Sequence, residues 1–227
     1  MISLVLPLYN EADGVRATVA SLTAALGGAG LAYELVLVNN GSTDDTAAVL
    51  REIEAAYPTV RVAHVAVNDG YGWGILCGLR EAKGDVIGFM CGDGQIADED
   101  VVRVCRRMLD ENLDLCKVSR VVRRDGPQRR VMSAVYNAFF RLLFGGHYAD
   151  INGTPKLMRR TRYERLDLKS RDWFIDAELM IAAARERWRV GEVAVTFTAR
   201  EQGSSNVRLT TSFEFVRNML RYRLRGR

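Results

Sequence analysis

The 227-residue sequence predicts an α/β fold in which a mostly parallel sheet is flanked by helices. Short apolar runs alternate with segments of helical periodicity through the first half, which is the pattern of βαβ units. Polar clusters follow several of these runs, and ligands of open α/β sheets bind at the carboxyl ends of strands. The length, with 48% hydrophobic and 26% charged residues, is enough for one large domain with its own core.

Apolar runs and helical repeats define the elements in chain order. The first run is nearly continuous in apolar side chains, as expected for a strand covered on both faces, and apolar residues then recur at helical spacing from Val15 to Leu26. Strands are predicted at 2–8, 33–38, 60–65, 86–90, 115–119 and 190–198. Helices are predicted at 15–26, 43–56, 70–82, 98–112, 129–144, 172–187 and 210–224. The segment 150–156 is predicted to be a loop.

Charge is distributed unequally along the chain. Residues 1–116 hold 8 Lys and Arg against 17 Asp and Glu, whereas residues 117–227 hold 24 against 11. The second half therefore favours an anionic partner such as a membrane surface or a phosphorylated acceptor, or else presents a solvated surface rich in arginine. No aromatic residues are interleaved on a basic face, so we predict no nucleic-acid partner.

Cysteine usage and hydropathy limit the cellular setting. The four cysteines form no CxxC pair and only two histidines exist, so free thiols are predicted rather than a zinc site or disulfides. No run of roughly 18 apolar residues exists, and no basic start precedes a long apolar run. We therefore predict a cytoplasmic protein, with peripheral attachment at the inner face of the membrane as an alternative.

Three polar clusters carry candidate chemistry. The first, Pro7-Leu8-Tyr9-Asn10-Glu11, follows the first predicted strand, and Asn39-Asn40-Gly41-Ser42-Thr43-Asp44-Asp45-Thr46 follows the second. The third, Cys91-Gly92-Asp93-Gly94-Gln95, follows the fourth. Each cluster alone is compatible with an ordinary turn and helix cap.

Together, at this order and spacing, the clusters resemble the family-2 glycosyltransferases, whose members carry P-x-Y-N-E, V-D-D-G-S-T-D-x-T and D-x-D motifs. The resemblance implies a nucleotide-diphospho-sugar transferase fold of the GT-A type. It also implies inverting transfer of a sugar from a nucleoside-diphosphate sugar. The positions that match donor-binding residues of the family are Pro7, Tyr9, Asn10, Glu11, Asn39, Asn40, Gly41, Ser42, Gly92, Asp93 and Gln95.

A divalent cation, Mg²⁺ or Mn²⁺, is the implied cofactor. Such a cation clamps two phosphates and stabilises the departing diphosphate, and it prefers oxygen ligands. Asp93 and Gln95 are the candidate ligands. The chain departs from the family at Cys91, which replaces the first D-x-D aspartate, and at Asn39-Asn40, which replaces an aspartate pair. A thiol is a poor ligand for Mg²⁺, and an amide accepts a nucleobase N–H without charge.

The second half resembles the polyprenyl-phosphate (dolichyl-phosphate) sugar synthases of the same family. The matching segments are Ser119-Arg120, Arg129-Arg130-Val131-Met132-Ser133, Asp150 to Leu157, and Arg200-Glu201-Gln202-Gly203-Ser204-Ser205. The resemblance implies that Arg120, Arg129, Ser133 and Arg200 hold the acceptor phosphate or the donor diphosphate. Arginine suits this role because its planar guanidinium binds phosphate through two hydrogen bonds.

The segment Asp172 to Leu179 resembles the family's segment near the acceptor. A hydroxyl acceptor requires a base, for which Asp176 is the candidate, whereas a phosphate monoester is already ionised. Asp176 would then orient the acceptor, or simply cap a helix or pair with arginine. The expected catalytic residues are thus Asp93, Asp176 and Arg200.

We divide the chain into a catalytic domain at 1–208, with a nucleotide-sugar half at 1–119 and an acceptor half at 120–208, and a basic amphipathic helix at 209–227. That helix and the apolar face of 135–144 would contact an anionic membrane surface or pack on the domain. The resemblance implies that the sugar is transferred to a polyprenyl-phosphate acceptor. Two alternative functions remain. One is transfer to a soluble hydroxyl acceptor in secondary metabolism, and the other is that of an inactive relative that only binds nucleotide sugars.

Overall fold

The computed structural model describes residues 1–123, 127–146, 148–197 and 209–224, and it describes their side chains except at 123, 127–129 and 209–216. Within these ranges seven strands form one sheet, in the order β3-β2-β1-β4-β6-β5-β7. The strands are β1 (Ile2–Leu8), β2 (Tyr33–Asn40), β3 (Val60–Val65), β4 (Val86–Phe89), β5 (Leu115–Arg123), β6 (Lys156–Arg159) and β7 (Val190–Phe197). The helices are α1 (Val15–Gly28), α2 (Thr46–Ala56), α3 (Tyr71–Glu81), α4 (Asp98–Asp110), α5 (Pro127–Phe144), α6 (Arg160–Tyr163), α7 (Ile175–Arg185) and α8 (Leu209–Leu224).

Strand pairing confirms the mostly parallel sheet. β1 pairs in parallel with both β2 and β4, β2 pairs in parallel with β3, and β5 pairs in parallel with β7. β6 is antiparallel to β4 and to β5, between which it lies. The carboxyl ends of β1, β2 and β4 therefore meet at one edge of the sheet, as the order of the motifs requires.

Apolar side chains cover both faces of the sheet. One core includes Leu22 of α1, Leu50 of α2 and Val104 of α4, all fully buried. The other lies under α3, α5 and α7. The glycines of α3 permit this second contact, because a Cβ at Gly78 would lie 2.3 Å from a methyl carbon of Val5. Such a close approach of helix to strand excludes any larger residue.

The structure contains each predicted strand and helix, with some ends shifted, and it adds two short elements in the second half. The segment predicted as a loop at 150–156 leads directly into β6 and α6, which were not predicted. β6 is only four residues long and contains a lysine, so it has neither the length nor the apolar continuity by which a buried strand is recognised. The helix expected from 43 begins at Thr46 instead, because the Asp44 carboxylate accepts the backbone N–H of Thr46 at 3.0 Å in a preceding turn. The division at 208 stays a prediction, although α8 occupies the segment assigned to the C-terminal helix.

Candidate active site

The first two motifs lie side by side because β1 and β2 are neighbours, with Leu8 opposite Asn39 in the register. The backbone N–H of Asn10 donates to the Ser42 hydroxyl at 3.1 Å, and the Asn10 side-chain oxygen accepts the backbone N–H of Thr43 at 2.8 Å. Asn10 adopts a left-handed conformation with φ of 56°, which asparagine tolerates better than most residues. These bonds join the two loops into one rigid edge.

Further contacts fix the remaining residues of this edge. The backbone N–H of Glu11 donates to the Thr46 hydroxyl at 3.0 Å. Tyr9 is exposed and Pro7 is half-buried, so both can contact a ligand at the edge. Gly41 has φ of +70°, and a Cβ there would lie 2.4 Å from the Asn68 backbone nitrogen. Glycine is required at this position for both reasons.

The two adjacent asparagines have different environments. The Asn39 side-chain oxygen accepts the backbone N–H of Ser42 at 3.1 Å, and its amide nitrogen lies 3.5 Å from Nδ1 of His64. Asn40 is 3% exposed, and its amide nitrogen donates to the Gly70 carbonyl and to the Asn68 side-chain oxygen. The structure thus directs Asn40 toward the start of α3 rather than toward the open edge.

The third motif begins at the end of β4. The Cys91 thiol lies 3.6 Å from the Tyr71 hydroxyl and 4.0 Å from the Thr154 hydroxyl. Burial, reinforced by the nearby negative charge of Asp93, raises the pKa of Cys91 to about 12. The thiol is therefore neutral near pH 7, and a neutral thiol is a weak ligand for a hard cation.

In the rest of this motif, Asp93 and Gly94 are accessible to a ligand. The Asp93 carboxylate is half-buried and accepts the backbone N–H of Gln95 at 3.2 Å. Gly94 has φ of +68°, and a Cβ there would meet nothing within 4 Å. Gly92 is buried, and a Cβ there would lie 2.8 Å from a methyl carbon of Leu8. Gly92 is therefore required for packing against Leu8, whereas the backbone at Gly94 is open to close approach by a diphosphate.

The donor atoms present fit a cation only in company with the diphosphate. Across the described ranges, no group of three or more His, Cys, Asp and Glu residues is placed to hold a metal ion. Of the two candidate ligands, Asp93 would contribute one carboxylate, and Gln95, which is largely buried, would contribute an amide. Mg²⁺ is commonly bound by one or two carboxylates together with substrate phosphates and water, and this set matches that mode.

Arg120, expected to bind phosphate, is held by Asp150. Its Nε donates to Asp150 at 2.6 Å and its Nη2 donates to the other carboxylate oxygen at 2.9 Å. Burial would raise the pKa of Asp150, but the hydrogen bonds and charge of Arg120 hold that pKa well below its usual range. Lys117, fully buried, forms an ion pair with Glu192 at 2.5 Å nearby. Arg120 is therefore oriented by the Asp150 carboxylate before any phosphate arrives.

Asp176, the candidate base, is paired with Lys156. Asp176 is 4% exposed and Lys156 is fully buried, and the lysine donates a hydrogen bond to the carboxylate. The Lys156 ammonium also lies 5.6 Å from the ring centroid of Phe89. Burial raises the pKa of Asp176, and the Lys156 charge opposes this rise only in part. The arrangement suits a residue that positions its surroundings rather than one that abstracts a proton from a substrate.

The remaining acceptor residues belong to α5 and the C-terminal part of the chain. Ser133 is half-buried one helical turn before Asn137, whose amide accepts the Ile151 N–H at 3.1 Å and donates to the Ala149 carbonyl at 3.0 Å. This contact attaches α5 to the loop that carries Asp150. Arg129 lies in α5 with its side chain outside the described set, and Arg200 lies outside the described residues.

The structure adds residues that the sequence reasoning did not assign to the site. Asp150 and Lys156 lie in a segment that matches the family, but the sequence predicts no binding or catalytic role for them. It predicts no such role for Tyr71 either. The signal for Lys156 was a lysine followed by apolar residues at the start of β6. A lysine at such a position requires a buried carboxylate partner, but sequence alone does not reveal which one.

Comparisons with known proteins identify the family of the chain. Residues 3–167 match the family model described as "Glycosyl transferase family 2". The chain therefore belongs to glycosyl transferase family 2, and the resemblance seen in its motifs is confirmed.

Several similar proteins have curated names that include a polyprenyl phosphate or a polyprenol. The chain is 31% identical over 90% of its length to an undecaprenyl-phosphate 4-deoxy-4-formamido-L-arabinose transferase of Edwardsiella ictaluri, of which it covers 62%. It is 29% identical over 96% of its length to a dodecaprenyl-phosphate galacturonate synthase of Rhizobium johnstonii, of which it covers 65%. The chain thus spans less than two thirds of these two proteins. It is 30% identical over 99% of its length to a polyprenol monophosphomannose synthase of Mycolicibacterium smegmatis, of which it covers 87%.

A solved structure confirms the fold. The glucosyl-3-phosphoglycerate synthase of Mycobacterium tuberculosis, in complex with Mn²⁺, UDP and phosphoglyceric acid, superposes with a TM-score of 0.75 at 23% identity. The match covers 98% of this chain and 78% of that one. The predicted GT-A-type fold is therefore confirmed.

Proposed function

We propose that this protein transfers a sugar from a nucleoside-diphosphate sugar to a polyprenyl phosphate. The observation that carries the acceptor class is the buried pair of Asp176 and Lys156. A hydroxyl acceptor needs a base within hydrogen-bond reach, and this carboxylate is already bonded and 4% exposed. A phosphate monoester is ionised near neutral pH and needs no such base. The names of the curated relatives support the same acceptor class.

The donor half of the proposal assigns roles at the sheet edge. Pro7, Tyr9, Asn39 and the loop beyond it would hold the nucleoside, and Asn40 would act by fixing the loop before α3. The backbone at Gly92 and Gly94 would approach the diphosphate. The reaction would be a single in-line displacement with inversion at the anomeric carbon.

A divalent cation, Mg²⁺ or Mn²⁺, is proposed at Asp93 and Gln95. When bound, it would stabilise negative charge on the departing nucleoside diphosphate. Cys91 contributes no charge there, so the protein holds the cation chiefly through Asp93 and together with the donor. The complex of the Mycobacterium tuberculosis synthase contains Mn²⁺ together with UDP, which supports a divalent cation as the proposed cofactor.

Arginines would hold the acceptor phosphate. Arg129, Ser133 and Arg200 are proposed as direct contacts, and Arg120 as a cation whose orientation is set by Asp150. Guanidinium groups bind the tetrahedral phosphate through paired hydrogen bonds and leave its oxygen directed at the sugar. Asp176 would position this side of the site through Lys156 rather than remove a proton.

Peripheral attachment at the cytoplasmic membrane face is proposed for α5 and α8. Within the described ranges, none of the helices is long and apolar enough to cross a bilayer. Leu142 of α5 is 79% exposed and Leu224 of α8 is 84% exposed, and Arg221 and Arg223 of α8 are also exposed. Exposed apolar side chains beside arginines are typical of helices that lie in an anionic interface.

The donor site is tested by thermal melting with a panel of nucleoside diphosphates and Mg²⁺ or Mn²⁺. A ligand that binds the folded state raises the melting temperature by mass action. We expect a metal-dependent rise for one nucleotide, lost in Asp93→Ala and kept in Asp110→Ala, an exposed aspartate at the end of α4. No rise with any nucleotide would contradict the donor site and favour a protein that no longer binds donors.

The acceptor is tested by a transfer assay with the nucleotide sugar that the panel selects. Undecaprenyl phosphate in detergent micelles is compared with undecaprenol and with a soluble alcohol. We expect product only with the phosphate. Transfer to the alcohols would show that the acceptor is a hydroxyl and would return Asp176 to the role of base.

A further inference from the structure

Tyr71 and Trp173 form an aromatic stack beside the third motif. Their ring centroids are 4.2 Å apart and their planes differ by 18°. Tyr71 begins α3, whereas Trp173 precedes α7, so the stack joins two segments about one hundred residues apart in the sequence. Trp173 is only half-buried, so part of its indole is open to a ligand.

The backbone is shaped to hold this stack. A Cβ at Gly70 would lie 2.3 Å from the Arg171 carbonyl oxygen, and a Cβ at Gly72 would lie 2.4 Å from that of Ser170. The backbone N–H of Trp73 donates to the Arg171 carbonyl at 3.0 Å. The two segments can approach this closely only because glycines stand on both sides of Tyr71.

The stack reaches the position where the third motif begins. The Tyr71 hydroxyl lies 3.6 Å from the Cys91 thiol, two residues before Asp93. Burial raises the pKa of Tyr71 well above its ordinary value, and the charges of Asp176 and Asp93 add to the rise. Tyr71 is therefore a neutral group in contact with the first residue of the third motif.

We propose that the Tyr71–Trp173 stack forms one wall of the sugar subsite and that Trp173 is a specificity-determining residue for the transferred sugar. This inference rests on the proposed function. The ligand is the pyranose ring of the nucleotide sugar, whose C–H groups form an apolar face while its hydroxyls point outward. Aromatic rings favour such faces, and ligand sites combine apolar walls with a few polar groups.

The proposed sugar subsite differs from the regions proposed for the nucleoside and the diphosphate of the donor. The nucleoside is proposed at the ends of β1 and β2, and the diphosphate at Gly92 and Gly94. The sugar lies beyond the diphosphate, toward the acceptor, and Trp173 belongs to the segment that leads into Asp176. Tyr71 is the positioning residue, because its ring stacks against the indole and fixes the indole plane.

The test is isothermal titration of each variant with UDP-glucose and UDP, or with the corresponding pair that the donor panel selects. The measured quantity is the ratio of the two Kd values, which isolates the contribution of the sugar. The advantage of the nucleotide sugar is the Kd for UDP divided by the Kd for UDP-glucose. We expect Trp173→Ala to reduce this advantage by about three- to tenfold, with the affinity for the nucleoside diphosphate unchanged. Trp173→Phe and Tyr71→Phe should keep most of the advantage, because an aromatic face remains. Trp188→Phe, at a buried tryptophan before β7, is the control.

The outcomes distinguish this inference from the proposed function. If the wild-type protein binds no nucleoside diphosphate, the proposed function fails and the inference fails with it. If the wild type binds and Trp173→Ala leaves the ratio unchanged, or weakens both ligands equally, the inference alone is overturned. Trp173→Phe is the folding control for this position. Its melting temperature should stay close to that of the wild type, and it should keep most of the advantage of the nucleotide sugar that Trp173→Ala loses.

Discussion

The side-chain nitrogen of Asn40 donates a hydrogen bond to the backbone carbonyl of Gly70 at 3.0 Å, which ties the end of β2 to the start of α3. The same nitrogen donates to the side-chain oxygen of Asn68, which itself accepts the N–H of Gly70 at 2.9 Å. Both partners of Asn40 are therefore acceptors. An aspartate, which the family carries here, has no N–H to offer them.

We predict that Asn40→Asp destabilises the protein by about 1–3 kcal/mol, because it places a buried carboxylate against two oxygen acceptors. Asn39→Asp is the matched control. Asn39 is also buried, but its oxygen accepts the N–H of Ser42 and a carboxylate still can, so we expect a smaller loss of at most about 1 kcal/mol. Urea denaturation at pH 7 measures both, and equal losses would contradict the donor role of the Asn40 amide.

Asn39 and Asn40 are adjacent on a strand, so their side chains have different surroundings although both match the same motif. The motif match assigned both to the donor, but successive side chains of a strand point to opposite faces. Asn39 is also buried and faces Ser42 and His64, whereas Asn40 faces α3. The alternation is a physical signal already present in the sequence, and it separates the roles once β2 is known to extend to Asn40.

A second prediction concerns the buried pair of Lys156 and Asp176. Lys156→Met or Asp176→Asn alone leaves one charge buried without its partner, and we expect each to cost about 3–5 kcal/mol. The double variant Lys156→Met with Asp176→Asn should cost less than the sum of the two single losses, because no buried charge remains. A double-mutant cycle by urea denaturation measures the coupling. Additive losses would show that the two side chains do not stabilise one another.

The pair of Lys156 and Asp176 is a part of the site that the sequence does not predict. The fold of the first half of the chain is predicted by the alternation of buried strands with helices, and the ends of β1, β2 and β4 locate the donor edge. β6 and the pairing of Lys156 with Asp176 do not follow, because compensation of buried charge joins positions on different elements. Likewise Arg120 was predicted as a phosphate ligand, whereas Asp150, which orients it, was recognised only as part of a motif.

A third prediction addresses the missing aspartate of the third motif. Cys91→Asp adds a carboxylate beside Asp93 and should raise the affinity for Mn²⁺ in the presence of the bound nucleoside diphosphate by about tenfold, or about 1.4 kcal/mol. Cys91→Ser adds an oxygen without a charge and should change the affinity little. Calorimetric titration of Mn²⁺ separates the two variants. An unchanged affinity in Cys91→Asp would place the cation away from position 91.

A fourth prediction follows from a buried thiol outside the active site. Cys105 of α4 is fully buried, and burial, with the nearby Cys116, raises its pKa from 9.0 to about 12. The folded state then holds the thiol proton more tightly than the unfolded state does. Its contribution to stability is complete below pH 9 and is lost as the pH rises from 9 toward 12.

We therefore expect the free energy of unfolding to fall less steeply with pH in Cys105→Ala than in the wild type, by about 1.4 kcal/mol per pH unit between pH 9.5 and 11.5. Val104→Ala, a truncation at the neighbouring buried position, should lower stability without changing the slope. Urea denaturation across this pH range measures all three proteins. Parallel curves for Cys105→Ala and the wild type would show that the thiol ionises alike in the folded and unfolded states.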